Sequence, residues 1–119
     1  MKLSFNTIRV RDLDRALKFY QGVLGLSIAR RFQAGSNQIV FLETGGAELE
    51  LIAGPEGEGT VPGTNLSLGF DVDSLEQILA ELERAGVSLY SGPINPNPHV
   101  RFALVKDPDG VLLQLTEHI

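Results

Sequence analysis

The residues best suited to chemistry are a guanidinium and two carboxylates placed at alternate positions of short apolar runs. Arg9 lies in Phe5-Asn6-Thr7-Ile8-Arg9-Val10, and Glu48 and Glu50 lie in Glu48-Leu49-Glu50-Leu51-Ile52. Successive side chains of a β-strand point to opposite faces. Phe5, Thr7 and Arg9 therefore share one face of the first run. Glu48 and Glu50 share the face of the second run that Leu49 and Leu51 do not use. A half-buried Glu50 on such a face is either a general base or the counter-ion of Arg9, and Arg9 can equally pair with Glu48. His99 ends the proline-rich stretch Gly92-Pro93-Ile94-Asn95-Pro96-Asn97-Pro98, two residues before Arg101. Its imidazole is either a ligand contact or base at the mouth of a cleft, or a solvent-exposed loop side chain. His118 falls on the strand face of Gln114 and Thr116, where it adds a donor if the last strand continues that far.

Composition narrows the chemistry. At 119 residues the chain is long enough for one domain with a real core. Fifteen acidic against ten basic residues give a net charge of −5, and the pairs Arg9/Arg11 and Arg30-Arg31 are too sparse to track phosphates. No nucleic-acid partner is expected. Without cysteine there is no disulfide, thiol chemistry or thiolate metal site. No apolar run approaches the roughly 18 residues a membrane span needs. A cytoplasmic protein without membrane partners is the expectation.

The elements that must position these residues occur twice. Leu3 to Val10 reads as a strand, and Asp12 as a helix N-cap. Leu13, Ala16, Leu17, Tyr20, Val23 and Leu24 then recur at helical spacing until Gly25. Strands follow over Leu26–Phe32, Gln38–Glu43 and Ala47–Ile52. The second half repeats the order: a strand over Asn65–Val72, a helix capped by Ser74 with Gln77 and ending at Gly86, then strands over Val87–Tyr90, Val100–Lys106 and Val111–Glu117. Leu66, Leu68, Phe70 and Val72 are expected beneath the second helix. Two copies at this spacing indicate a duplicated supersecondary unit. The expected fold is α+β: a single domain, 1–119, of two tandem βαβββ modules over 1–53 and 64–119, joined by a Gly/Pro-rich linker, 54–63. The sheets form a cup-shaped cleft and the helices lie on the outer face.

The run Ile8-Arg9-Val10-Arg11-Asp12-Leu13 leading to Phe19-Tyr20 and Leu24-Gly25, its counterpart Phe70-Asp71-Val72-Asp73-Ser74-Leu75, and the turn Asp107-Pro108-Asp109-Gly110 resemble the vicinal oxygen chelate superfamily. That superfamily includes glyoxalase I, bleomycin-resistance proteins and extradiol dioxygenases. The resemblance spans nearly the whole chain and implies the duplicated fold more specifically than any one activity. Metal-dependent members carry four ligands on the inward sheet faces, at positions that fall here on Phe5, Glu50, Ser67 and Gln114. Of these only Glu50 keeps the usual donor. Phe5 donates nothing, Ser67 is a poor neutral ligand and Gln114 a weak one, so the usual metal site is expected to be absent and no cofactor is implied. The resemblance also makes Arg9 an anchor for an anionic substrate group, through bidentate guanidinium pairing.

These readings favour a homodimeric, non-enzymatic protein that binds a small organic molecule in the manner of bleomycin-resistance proteins. Phe5, Thr7, Arg9, Glu48, Glu50, Ser67, His99, Arg101 and Gln114 are the candidate ligand contacts. The alternative is a lyase, isomerase or dioxygenase whose metal site has moved. A dimerising module without a ligand is a third reading.

Overall fold

The computed structural model describes residues 1–119. The chain forms two compact units, Met1–Val61 and Pro62–Ile119. The first runs β1 (Phe5–Val10), α1 (Leu13–Leu17) continuing into a π-helical turn (Lys18–Val23), β2 (Ser27–Ala34), β3 (Asn37–Glu43) and β4 (Glu48–Ala53). The second runs β5 (Leu68–Asp71), α2 (Leu75–Arg84), β6 (Leu89–Asn97), β7 (Val100–Lys106) and β8 (Leu112–His118). The four-stranded sheets have equivalent orders, β1-β4-β3-β2 and β5-β8-β7-β6. In each, the first strand pairs parallel to the last and the other pairings are antiparallel. The expected α+β fold of tandem βαβββ modules is the observed one.

The duplication extends to local geometry. Asp12 Oδ1 accepts a hydrogen bond from the Arg15 N–H at 3.1 Å, and Ser74 Oγ accepts one from the Gln77 N–H at 3.2 Å. Both cap residues have φ −140° and ψ 112°. Each cap satisfies an N–H that a helix start leaves without an intrahelical partner. Past the helices, Gly25 and Gly86 turn the chain at φ +78° and +81°, a conformation that a Cβ would strain.

The first helix departs from simple α periodicity. The Leu24 N–H donates to the Phe19 carbonyl at 2.9 Å, a five-residue step that widens the last turn. Phe19 and Tyr20 are then both buried, edge to face with centroids 5.0 Å apart. Helical spacing selects Tyr20 but not its neighbour.

One face of each sheet is packed beneath its helix. In the first unit Leu13, Ala16 and Leu17 are buried with Val40, Leu42, Leu49 and Leu51; in the second, Leu75 and Leu82 with Ala103, Val105, Leu113 and Leu115. Two expectations are corrected. β5 starts at Leu68, so Leu66 is 77% exposed rather than covered by α2. β6 continues to Asn97 through what reads as a loop. It is an edge strand, where a missing proline N–H leaves no ladder bond unmade, and its register shifts on both sides of Ile94, beside Pro93 and Pro96. No helix is long and apolar enough to cross a membrane.

These placements predict opposite outcomes for two leucines. Leu51→Ala empties a fully buried site and should cost roughly 2–5 kcal/mol in denaturant unfolding. Leu66→Ala should stay within about 0.5 kcal/mol of wild type.

Candidate functional site

The uncovered face of the β1–β4 sheet collects the densest set of reactive and aromatic side chains. Its register sets Thr7 beside Glu50, Glu50 beside Phe41 and Phe41 beside Arg30. A parallel row sets Arg9 beside Ile52, Ile52 beside Ile39 and Ile39 beside Phe32. Phe5 lies opposite Glu48 at one end. Phe5 and Phe32 are 49% and 46% exposed, whereas Glu50, on a central strand, is only 9% exposed.

Phe41 organises the aromatic part. Phe5 meets it edge-on with centroids 5.6 Å apart, and Phe32 stacks on it at 6.3 Å with 16° between the planes. The Arg30 guanidinium carbon sits 4.0 Å from the Phe41 ring centre, in cation–π range. Arg30 also grips Glu48 through both nitrogens, Nη1 to Oε2 at 3.0 Å and Nη2 to Oε1 at 2.9 Å. Those hydrogen bonds hold the Glu48 carboxyl below its ordinary value and push the Arg30 guanidinium up, with the charges of Glu48 and Glu50 adding to the latter.

The carboxylate–guanidinium pairing differs from the expected one. Arg9 pairs with neither Glu48 nor Glu50. Its Nη1 lies 3.7 Å from Oε2 of Glu56, in the segment after β4. Glu50 takes a hydrogen bond from the Thr7 hydroxyl at 2.6 Å instead. The residues that reasoning from sequence missed are Arg30, Phe32 and Phe41. The alternation of Arg30 with Phe32, and of Ile39 with Phe41, across the turn after Ala34 was the available signal.

The candidates of the second unit do not converge in the same way. Ser67 is exposed and precedes β5. Gln114, on the uncovered face, donates from Nε2 to the Thr116 hydroxyl at 3.3 Å. His99 is exposed in the turn between β6 and β7, where its backbone N–H donates to Asn97 Oδ1 at 2.8 Å. Arg101 belongs to the other face: it pairs in register with Glu117, whose Oε1 accepts the Leu75 N–H at the start of α2. Arg101 Nη1 stands 4.0 Å from Glu117 Oε2. It is therefore a structural neighbour of the helix and does not share the Gln114 face. His118 does share that face, with Nε2 3.0 Å from Asp71 Oδ1.

The ligand positions of metal-dependent relatives do not fit an ion here. Zinc or a similar cation needs three or four N/O/S donors. Phe5 supplies an aromatic edge against Phe41, Ser67 a lone hydroxyl and Gln114 an amide; no group of three or more His, Asp or Glu capable of holding a metal is present.

Known proteins share this order of elements. The chain belongs to the Glyoxalase/Bleomycin resistance protein/Dioxygenase superfamily, whose family model matches residues 2–115. It is 32% identical to a lactoylglutathione lyase of Haemophilus influenzae over 130 aligned positions, covering 99% of this chain and 93% of the relative. A lactoylglutathione lyase of Neisseria meningitidis serogroup A is 29% identical, with coverage of 98% and 91%. The fold is that of the trypanothione-dependent glyoxalase I of Leishmania major, with TM-score 0.84, 23% identity and coverage of 98% and 86%. It is also that of TnmS3, an antibiotic-binding protein of a Streptomyces species, with TM-score 0.75, 24% identity and coverage of 100% and 97%.

The Arg30–Glu48 pair predicts a pH-dependent contribution to stability. Because the fold depresses the Glu48 pKa, that contribution is present above the unfolded value, about 4.3. It is lost as pH falls through the lower folded value. The difference in melting temperature between wild type and Glu48→Gln should therefore exist at neutral pH, shrink with added salt, and close under strongly acidic conditions. A difference that persists unchanged into acid would contradict the pairing.

Proposed function

We propose that this chain binds a small organic molecule, without the usual metal of its superfamily, on the uncovered face of the β1–β4 sheet. The observation that carries this reading is Phe5: where metal-dependent relatives place a ligand, this chain packs a phenyl ring edge-on against Phe41. Around it lie Thr7, Glu48, Glu50 and Arg9, a small number of polar groups among apolar ones, which is the usual make-up of a ligand site. Arg9 lies on the same face with its guanidinium turned to Glu56, Nη1 to Oε2 at 3.7 Å. A homodimer is part of the same proposal, and sedimentation reads it directly.

The competing reading is a metal-dependent lyase. It is favoured by the lactoylglutathione lyases to which the chain is similar and opposed by the donor chemistry. Metal analysis of protein purified without chelators decides between them. The expected result is no stoichiometric transition metal, and no lactoylglutathione lyase activity after addition of zinc or nickel. About one zinc, nickel or iron per chain, lost in Glu50→Ala, would overturn the proposal.

A further inference from the structure

We infer that the face described above selects a planar aromatic ligand carrying a protonated amine or a comparable N–H donor, with Glu50 as its acceptor. The inference rests on the proposed small-molecule reading and names the ligand class. Glu50 is nine-tenths buried, and its only hydrogen bond is from Thr7 to Oε1. Oε2 has no protein partner, yet it is not among the fully buried unsatisfied atoms. It therefore opens onto the uncovered face with its acceptor capacity unused. A carboxylate is an acceptor only, so what completes it must be a donor. A charged donor makes the stronger bond.

The cations nearest Glu50 are already engaged. Arg30 acts on Glu50 through its charge but spends both terminal nitrogens on Glu48. Arg9 leans towards Glu56. Two carboxylates thus share one committed guanidinium, leaving a local excess of negative charge. The same patch exposes parts of Phe5 and Phe32, beside Phe41. Phenyl faces attract cations as well as aromatic rings. An aromatic ammonium ion satisfies both the open carboxylate oxygen and the rings; an aromatic carboxylate would place its charge against Glu50.

The chain contains no Trp, so indole fluorescence reports the ligand alone. Tryptamine, 3-methylindole and indole-3-propionate present one ring with positive, neutral and negative charge, and fluorescence anisotropy measures their binding to the wild-type chain. Tryptamine should bind about tenfold or more tighter than 3-methylindole, with indole-3-propionate weakest. Glu50→Gln should remove most of that preference while leaving 3-methylindole within about twofold. The wild-type series carries the test even if that variant folds poorly. Phe32→Leu should weaken both tryptamine and 3-methylindole. Equal binding of the three probes, or a preference for indole-3-propionate, overturns the cationic class but leaves the small-molecule reading standing. Failure of all three to bind, or to shift sheet resonances of Thr7 and Phe41 by NMR, removes both. Self-association that excludes tryptamine and is abolished by Phe32→Glu would mean that a second copy covers the face, which also overturns the inference.

Discussion

β4 has neighbours on both sides, β1 and β3, so its side chains must satisfy a helix-covered face and an uncovered face at once. Leu49 and Leu51 are buried on the first, and Glu48 and Glu50 point to the second. A slip of one residue would put two carboxylates beneath α1 and turn two leucines outward. Burial of charge without a partner is far more costly than any surface contact could offset. That single alternation fixes the register of β4, and β4 in turn fixes its neighbours. Thr7 meets Glu50 only because β1 is locked to β4, and Arg30 reaches Glu48 only because β2 and β3 follow in order.

The duplicated unit shows how the same scaffold can carry a different surface. Thr7–Glu50 in the first sheet corresponds to Gly69–Gln114 in the second, each pair joining the first strand to the last. The position of Arg9 corresponds to that of Asp71. Leu113 and Leu115 keep the covered face apolar as Leu49 and Leu51 do. The packing side of each sheet is thus maintained, while the exposed side changes from a carboxylate with aromatic rings to an amide beside a His–Asp pair. Fold and site are separable here because period two assigns them to different residues.

Much of this was legible from the sequence because it depends on local rules. The caps at Asp12 and Ser74, the turns at Gly25 and Gly86, and the alternation in β1, β4 and β8 all follow from residue type and spacing. Less legible were features decided by tertiary context. The π-helical turn that buries Phe19 beside Tyr20 requires a hydrogen-bond step that helical periodicity does not announce. Pro93 and Pro96 read as a loop, but their edge position tolerates them within β6. Arg101 was a candidate ligand contact, yet strand parity places it with Glu117 on the α2 side of the sheet. The pairing of Arg30 with Glu48, rather than of Arg9 with Glu50, depends on which strands adjoin.

The charge arrangement on the first sheet then follows from geometry more than from proximity in sequence. Arg30 can lie over Phe41 and still place two nitrogens on Glu48, because a guanidinium binds in its plane and attracts a ring through its face. Glu50 lies two residues further along β4, on the same face, and receives from that cation only its field. Thr7 supplies one neutral hydrogen bond where a metal or an arginine would have supplied charge. The result is a carboxylate that is sheltered, partly satisfied and flanked by phenyl rings. An oxygen in that setting gains most from a donor that brings its own positive charge and an apolar body together. This is the physical reason to look for an amine-bearing aromatic ligand instead of an ion held by the protein alone.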